Sequence, residues 1–380
     1  MISAALVAAL VGYGSTIALV LAAAQAVGAT TAQTASWLLA VCLAKAAGSA
    51  LLSWRTRVPV VLAWSTPGAA LIAASSGITM AQAVGAFVVA GALIAATGAL
   101  RPLGRLVAQI PDAIAAAMLA GVLLPFCLKG LAVSGQLGAT SLILLAVFAV
   151  VRRANPALAV LAALGAGLIL AFGPGGVALP VFTTPHPALT LIAPEFRLDA
   201  LIGLALPLYL VTMASQNLPG FATLRAAGYE PPVGQALQTT GILSSLSGLF
   251  GAHTISMAAI TAAICLHDDV HPNPAKRWKV GLAYASFWVL LGVAGPWVMS
   301  LLQAMPPNIL TLLVGLALLG PLSGALANAY TVPQTRFPAT VTLTLTASGL
   351  AIGGIGAAFW GLIAGLSLLA LDQFAKSKRP

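Results

Sequence analysis

The chain has 380 residues, 60% of them hydrophobic and only 6% charged, with a mean hydropathy of +1.03. A soluble domain carries about 25% charged residues, so a water-soluble globule is excluded and lipid must be the solvent for most of this chain. The net charge of +10 does not point to nucleic acid, because the basic residues stand in ones, twos and threes between apolar runs, as membrane topology is written.

A spanning helix needs about 20 apolar residues. In chain order the apolar runs predict spans at 3–27, 32–53, 58–75, 78–100, 106–128, 137–151 and 155–173, then at 198–218, 233–251, 254–267, 279–303, 307–329, 337–349 and 351–371. The first run lacks a basic n-region and a small-residue cleavage site, so it reads as a span and not a removed signal peptide. The Pro- and Thr-rich stretch 174–197 reads as a link. The expectation is an all-α polytopic membrane protein of 14 transmembrane segments, built as two inverted repeats of seven, 1–195 and 196–380. The charges fit this count. With both termini cytoplasmic, the inside loops hold Arg55, Arg57, Arg101, Arg105, Arg152, Arg153, Arg225, Lys276, Arg277, Lys279, Arg336, Lys376, Lys378 and Arg379, which is 14 of the 17 Lys and Arg. Lys129 and Arg197 fall outside, and Lys45 lies within a span.

The repeat also shows in matched residues. Leu19–Gln25 is echoed by Leu210–Gln216 at an offset of 191, Ser65-Thr66 by His253-Thr254 at 188, and Pro111 and Pro125 by Pro307 and Pro321 at 196. Paired halves with interrupted apolar segments point to a transporter whose site lies between them.

The interruptions fall in segments 3 and 10. Val58–Trp64 is short and β-branched and reads as extended; Ser65, Thr66, Pro67 and Gly68 then read as a helix start. In the second half Gly251 permits unusual backbone, and Thr254 or Ser256 is the expected cap of a second half-helix. Two half-helix N-termini meeting near the midplane would make an anion site without a buried arginine.

Other polar residues within spans are candidates for the same site. Thr212, Ser215, Gln216 and Asn217 form the densest uncharged cluster, with Pro219-Gly220 expected to end that helix. Gln25 stands at the equivalent place in the first half, and Tyr13, Ser15 and Thr16 lie in the first span. Such groups either face a cavity or bond between helices. His253 is the one histidine within the apolar core; it either carries a proton or is a neutral, satisfied core residue. Lys45 either snorkels or faces the cavity. Asp112 reads as a first-turn acid, and Gly361 with Gly365 as a close helix contact. His267, Asp268, Asp269 and His271 look metal-like but lie in a charged loop and read as solvated. Cys42, Cys127 and Cys265 read as small core residues. No nucleotide, protease, metal or cofactor motif is found.

Ala63–Ala70, Thr212–Gly220 with Leu224–Tyr229, and Ala258–Cys265 resemble the bacterial benzoate–proton symporter family, Ser215-Gln216-Asn217 being the most specific part. The resemblance implies the seven-plus-seven fold of the nucleobase (uracil) symporters, in a bacterial inner membrane. It also implies a core domain (1–100 plus 198–304), a gate domain (105–174 plus 305–371) and a homodimer through the gate. Nucleobase symporters carry acids on spans 8 and 10, where Ser215 and His253 stand here; losing them suits an anionic substrate. The expected function is import of benzoate or a similar aromatic carboxylate with protons. The carboxylate would lie near Ser65 and Thr254, with Gln216 and Asn217 hydrogen-bonded to it. Trp64, Tyr209 or Phe250 would lie on the ring, and His253 would carry the proton. A nucleobase or inorganic anion is the alternative cargo, and a membrane-embedded enzyme the alternative class.

Overall fold

The computed structural model describes residues 1–100, 111–180 and 187–377. Arg101, Arg105, Lys378, Arg379, the first residues of the expected 106–128 span and positions 181–186 of the link lie outside the described residues. The chain is mostly helical. Its helices are α1 (Ile2–Gly14), α2 (Ile17–Ala26), α3 (Thr31–Thr56), α4 (Thr66–Ala73), α5 (Met80–Ala99), α6 (Asp112–Ala132), α7 (Ala139–Ala154) and α8 (Ala159–Phe172). After the link come α9 (Leu198–Ala226), α10 (Val233–Gly248), α11 (Ile260–Leu266), α12 (Lys279–Ala304), α13 (Pro307–Ala329), α14 (Arg336–Ala347) and α15 (Ala357–Ser377). Two short strands, β1 (Leu62–Trp64) and β2 (Ile255–Met257), precede α4 and α11.

Helices begin where the sequence supplies a cap. Thr30 with Gln33, and Thr79 with Gln82, form capping boxes that start α3 and α5, each satisfying two otherwise orphaned N–H groups. The first apolar run breaks at Ser15-Thr16.

By length and composition seven described helices can cross a bilayer on their own; the other apolar segments are shorter. Three expectations need correction. Pro219-Gly220 does not end its helix, which continues to Ala226. A π-turn at Met213–Asn217 ends one residue short of the proline, and its wider step accommodates the missing N–H. The last span starts at Ala357 and not near 351, because Gly353 and Gly354 turn the chain at φ +60° and +78°. Finally, residues 254–257 are not helical: Thr254 precedes β2, and the second half-helix begins only at Ile260, capped by neither Thr254 nor Ser256.

The helices pack in two sets. In one, α3 lies against α12, α5 against α10, and α1 against α12 and α11; in the other, α6 lies against α13 and α14, α14 against α15, and α7 against α8. Gly361 allows α15 to approach α14 closely, since a Cβ there would lie 2.8 Å from the Thr342 carbonyl oxygen.

Candidate functional site

The two broken segments meet as an antiparallel pair, Leu62 opposite Met257, Ala63 opposite Ser256 and Trp64 opposite Ile255. The ladder is extended by the Ser65 N–H to the Thr254 carbonyl at 2.9 Å and the Ala258 N–H to the Val61 carbonyl at 3.1 Å. A two-stranded sheet inside a membrane protein has two raw edges, and each unpaired N–H in a dry interior is costly. Neighbouring helices close both edges. Ser49 and Ser53 on α3 accept from the N–H groups of Leu62 and Val60 at 3.0 Å each. Ser244 on α10 accepts from Ile255, and Asn217 on α9 from Met257, at 2.9 Å each. Tyr284 on α12 donates to the Leu62 carbonyl at 2.9 Å.

This places the expected site residues. Asn217 is fully buried and its amide oxygen serves β2, so it is a strut of the sheet and that oxygen is not available to a substrate. Its neighbours Ser215 and Gln216 are half-buried and have no such duty. Thr212 is the hub of a buried hydroxyl chain: its O–H donates to Ser65 Oγ at 2.9 Å, so the Thr254 O–H, also 2.9 Å away, donates to Thr212. Ser256 donates to the Ala63 carbonyl at 3.4 Å. Tyr209 is buried and shares a 2.6 Å hydrogen bond with Thr97 of α5, which ties it to that helix. Phe250 is half-buried in the turn before β2, where Gly251 adopts φ +92°. Gln25 is exposed on the last turn of α2, apart from the paired strands.

The half-helix dipoles are weaker anion holders than the sequence suggested. Ser65 caps α4 itself, accepting from the Gly68 N–H at 3.1 Å, and Pro67 has no N–H, which leaves Thr66 as the first-turn donor. Gly68 is packed against Ser65 and Leu208. The partner half-helix α11 has only seven residues, too few to sum to a strong dipole.

His253 is fully buried, and its Nδ1 accepts from the Trp37 indole N–H at 2.9 Å. An indole nitrogen only donates, so the proton of the imidazole is on Nε2, and protonating Nδ1 would break this bond. Nε2 is buried without a partner.

Beside the strands lies an aromatic nest that sequence reasoning missed. Trp64 donates to Thr16 Oγ1 at 2.7 Å. Its ring is 5.3 Å from that of Trp288 and 5.8 Å from that of Tyr13, and Tyr284 lies 5.8 Å from Trp288. Lys45 of α3 is fully buried, its Nζ 2.9 Å from the Trp288 ring centroid and 4.1 Å from that of Trp64. It does not snorkel. The one available signal was Tyr284 and Trp288 four residues apart, on one face of an apolar helix. A narrow crevice runs alongside, lined by Ser15, Thr16, Leu19, Val160, Leu164 and Leu313 among others. It separates the α1–α2 break from α8 and α13, and thus lies between the two helix sets. Among the described residues no group of His, Cys, Asp and Glu is placed to hold a metal.

Comparison with known proteins agrees with a transport architecture. The chain is 41% identical over 366 residues to the inner membrane protein YdcO of Escherichia coli strain K12, covering 95% of this chain and 93% of that protein. It is 33% identical over 366 residues to the benzoate membrane transport protein of Acinetobacter baylyi, covering 96% and 92%. Among solved structures, the transmembrane domain of a cyanobacterial bicarbonate transporter, BicA, aligns with TM-score 0.60 at 15% identity over 96% of this chain and 97% of that one. SLC26A9 aligns with TM-score 0.69 at 13% identity over 100% and 66%. These two likenesses concern the fold alone, and they do not support the expected comparison with nucleobase symporters. The family model for the benzoate membrane transport protein, BenE, matches residues 1–371, and the chain belongs to this family of membrane transporters.

Proposed function

We propose that this protein is a secondary transporter of the bacterial inner membrane that imports benzoate or a similar aromatic carboxylate together with protons. The observation that carries the reading is the pairing of β1 with β2. Two non-helical segments cross within the buried interior of a chain that otherwise obeys the helical rule for membranes, and such backbone is tolerated where it serves a cavity or is enclosed by protein. Trp64, Ser65, Thr66, Gly68, Thr254, Ser256 and His253 gather around this crossing, with Ser215 and Gln216 on α9 and Tyr13 on α1 as further candidate contacts.

The finer architecture belongs to the same proposal. Fourteen segments in two inverted repeats, 1–195 and 196–380, would include the short helices and the strand–helix pairs as segments. Both termini would be cytoplasmic. A core (1–100 plus 198–304) would move against a gate (105–174 plus 305–371) that also forms the homodimer, and the cleft at Ser15 and Thr16 lies along that boundary. Burying ~120 Å² of a benzoate ring would contribute ~3 kcal/mol. One proton per anion would be electroneutral, so that only the pH difference drives uptake; a second proton would add the membrane potential, about 2.3 kcal/mol per charge per 100 mV.

The test is uptake of labelled benzoate into proteoliposomes under imposed pH and voltage gradients. Acidic exterior pH is expected to accelerate uptake, and unlabelled uracil or bicarbonate is expected not to compete. Uptake indifferent to pH would sink proton symport, and competition by uracil or bicarbonate would replace the cargo.

A further inference from the structure

The absence of acids from the interior leaves the proton without its usual carrier. The seven Asp and Glu residues all stand at helix ends or in loops: Asp112 opens α6, Glu195 and Asp199 precede or open α9, Glu230 lies between α9 and α10, Asp268 and Asp269 before α12, and Asp372 late in α15. His253 is committed to Trp37. That leaves Lys45, which is mid-helix, fully buried and, among the described residues, without a carboxylate or hydrogen-bond partner. An uncompensated ammonium in a dry interior is costly, and the two indole faces offset only part of that cost.

A second observation marks the same place. Of the five buried side-chain polar atoms that lack any partner among the described residues, three are Tyr13 Oη, Thr261 Oγ1 and Trp288 Nε1. Tyr13 and Trp288 have ring centroids 5.9 Å apart. A Cβ built on Gly12 would lie 3.3 Å from Trp288 Cζ2 and 3.4 Å from Thr261 Cγ2, so Thr261 adjoins the same ring. Buried polar atoms are seldom left unpaired. Two hydroxyls and an indole N–H thus lie next to the Trp288 ring that carries Lys45 Nζ; each can donate to an anion, although the hydroxyls can also accept and Tyr284 is close enough to share Thr261 and Trp288. The other titratable groups facing this place are Cys42 on α3, Tyr13 on α1, Tyr284 on α12, Cys265 on α11 and His253 before β2; none is a carboxylate.

We propose that Lys45 is the proton-carrying counter-charge for the transported anion, with Tyr13, Thr261 and Trp288 as the donors that complete the carboxylate's shell. The inference deepens the reading above and rests on it. A neutral Lys45 takes a proton from the outer side as the carboxylate arrives, forming an ammonium–carboxylate pair. On the inner side the anion departs, the ammonium releases its proton to water, and the neutral amine returns. One proton and one anion cross per cycle, so no net charge moves.

The experiment uses the full chain, with two readouts. Proton uptake on adding benzoate to purified protein in weak buffer is followed with a pH dye, and benzoate accumulation in proteoliposomes is driven by a pH gradient at clamped voltage. Wild type is expected to take up close to one proton per benzoate bound and to accumulate benzoate. Lys45→Gln is expected to lose the proton uptake and to lower accumulation at least tenfold. Lys45→Arg is expected to bind benzoate without proton uptake and without pH-driven accumulation, because a guanidinium does not deprotonate; this variant decides the matter if Lys45→Gln does not fold. Wild-type proton uptake and accumulation in Lys45→Gln, or pH-driven accumulation in Lys45→Arg, would overturn the proposal while leaving the transport reading intact. A wild type that moves no benzoate under any gradient would instead overturn the transport reading itself.

Discussion

Trp37 donates its indole N–H to Nδ1 of His253 across 2.9 Å, joining α3 to the turn before β2. The bond fixes the imidazole as a neutral acceptor and makes this histidine part of the scaffold under the paired strands. Trp37→Phe keeps the ring packing against Phe87, 5.2 Å away, but leaves a buried acceptor unpaired. The expected loss is about 1–3 kcal/mol, read as a lower unfolding temperature in detergent, with pH-driven uptake still present in the folded fraction.

Asn217 and Gln216 are adjacent in sequence but differ in role. Asn217→Leu orphans the Met257 N–H of β2 and is expected to destabilise the protein by about 1–3 kcal/mol. Gln216→Ala is expected to leave the unfolding temperature within about a degree, a surface-like effect below 0.5 kcal/mol, and to raise the KM for benzoate. Thermal unfolding and uptake kinetics of the two variants check the contrast; equal unfolding temperatures would remove Asn217 as the strut.

Ser65 carries four hydrogen bonds at once: its N–H to Thr254, its carbonyl from Ala69, and its Oγ from Gly68 and Thr212. Ser65→Ala removes both that rest on Oγ. A lost N-cap costs about 1 kcal/mol, while the Thr212 hydroxyl keeps its bond with Thr254. Thr212→Ala likewise removes two bonds, those with Ser65 and Thr254, so the two variants are expected to lose stability to a similar extent in thermal unfolding.

Gly251 sits at φ +92°, where a side chain is strained. Gly251→Ala is expected to cost about 1 kcal/mol or more and to loosen the turn that delivers His253 to Trp37. Slower tryptophan-reported unfolding than wild type would contradict this.

The sequence was most informative where a single residue type dictates local chemistry. The apolar runs placed α3 and α5 to within three residues at each end; the Thr30–Gln33 and Thr79–Gln82 boxes that fix their starts are contacts between near neighbours. Ser65-Thr66-Pro67 announced the start of α4 for the same reason. The matching half-helix was placed about six residues too early, since Thr254 and Ser256 have the side chains of caps but are held in a strand by Trp64 and Ala63 across the pair. No local pattern records that partner. Pro219-Gly220 misled likewise, because a π-turn set by tertiary packing absorbs the proline.

Composition and periodicity alone determined that this chain lives in lipid and that most of its basic residues stand between or at the ends of apolar runs; each follows from side-chain solvation, which needs no knowledge of neighbours. Which polar residues are struts and which are free to meet a substrate was decided only in three dimensions. Asn217 joined β2 and His253 joined Trp37, while Lys45, Tyr13, Thr261 and Trp288 came together from four separate helices. A hydrogen bond between residues 216 positions apart is a property of packing, and it is packing that makes one buried base a scaffold and sets the other, Lys45, against two indole rings.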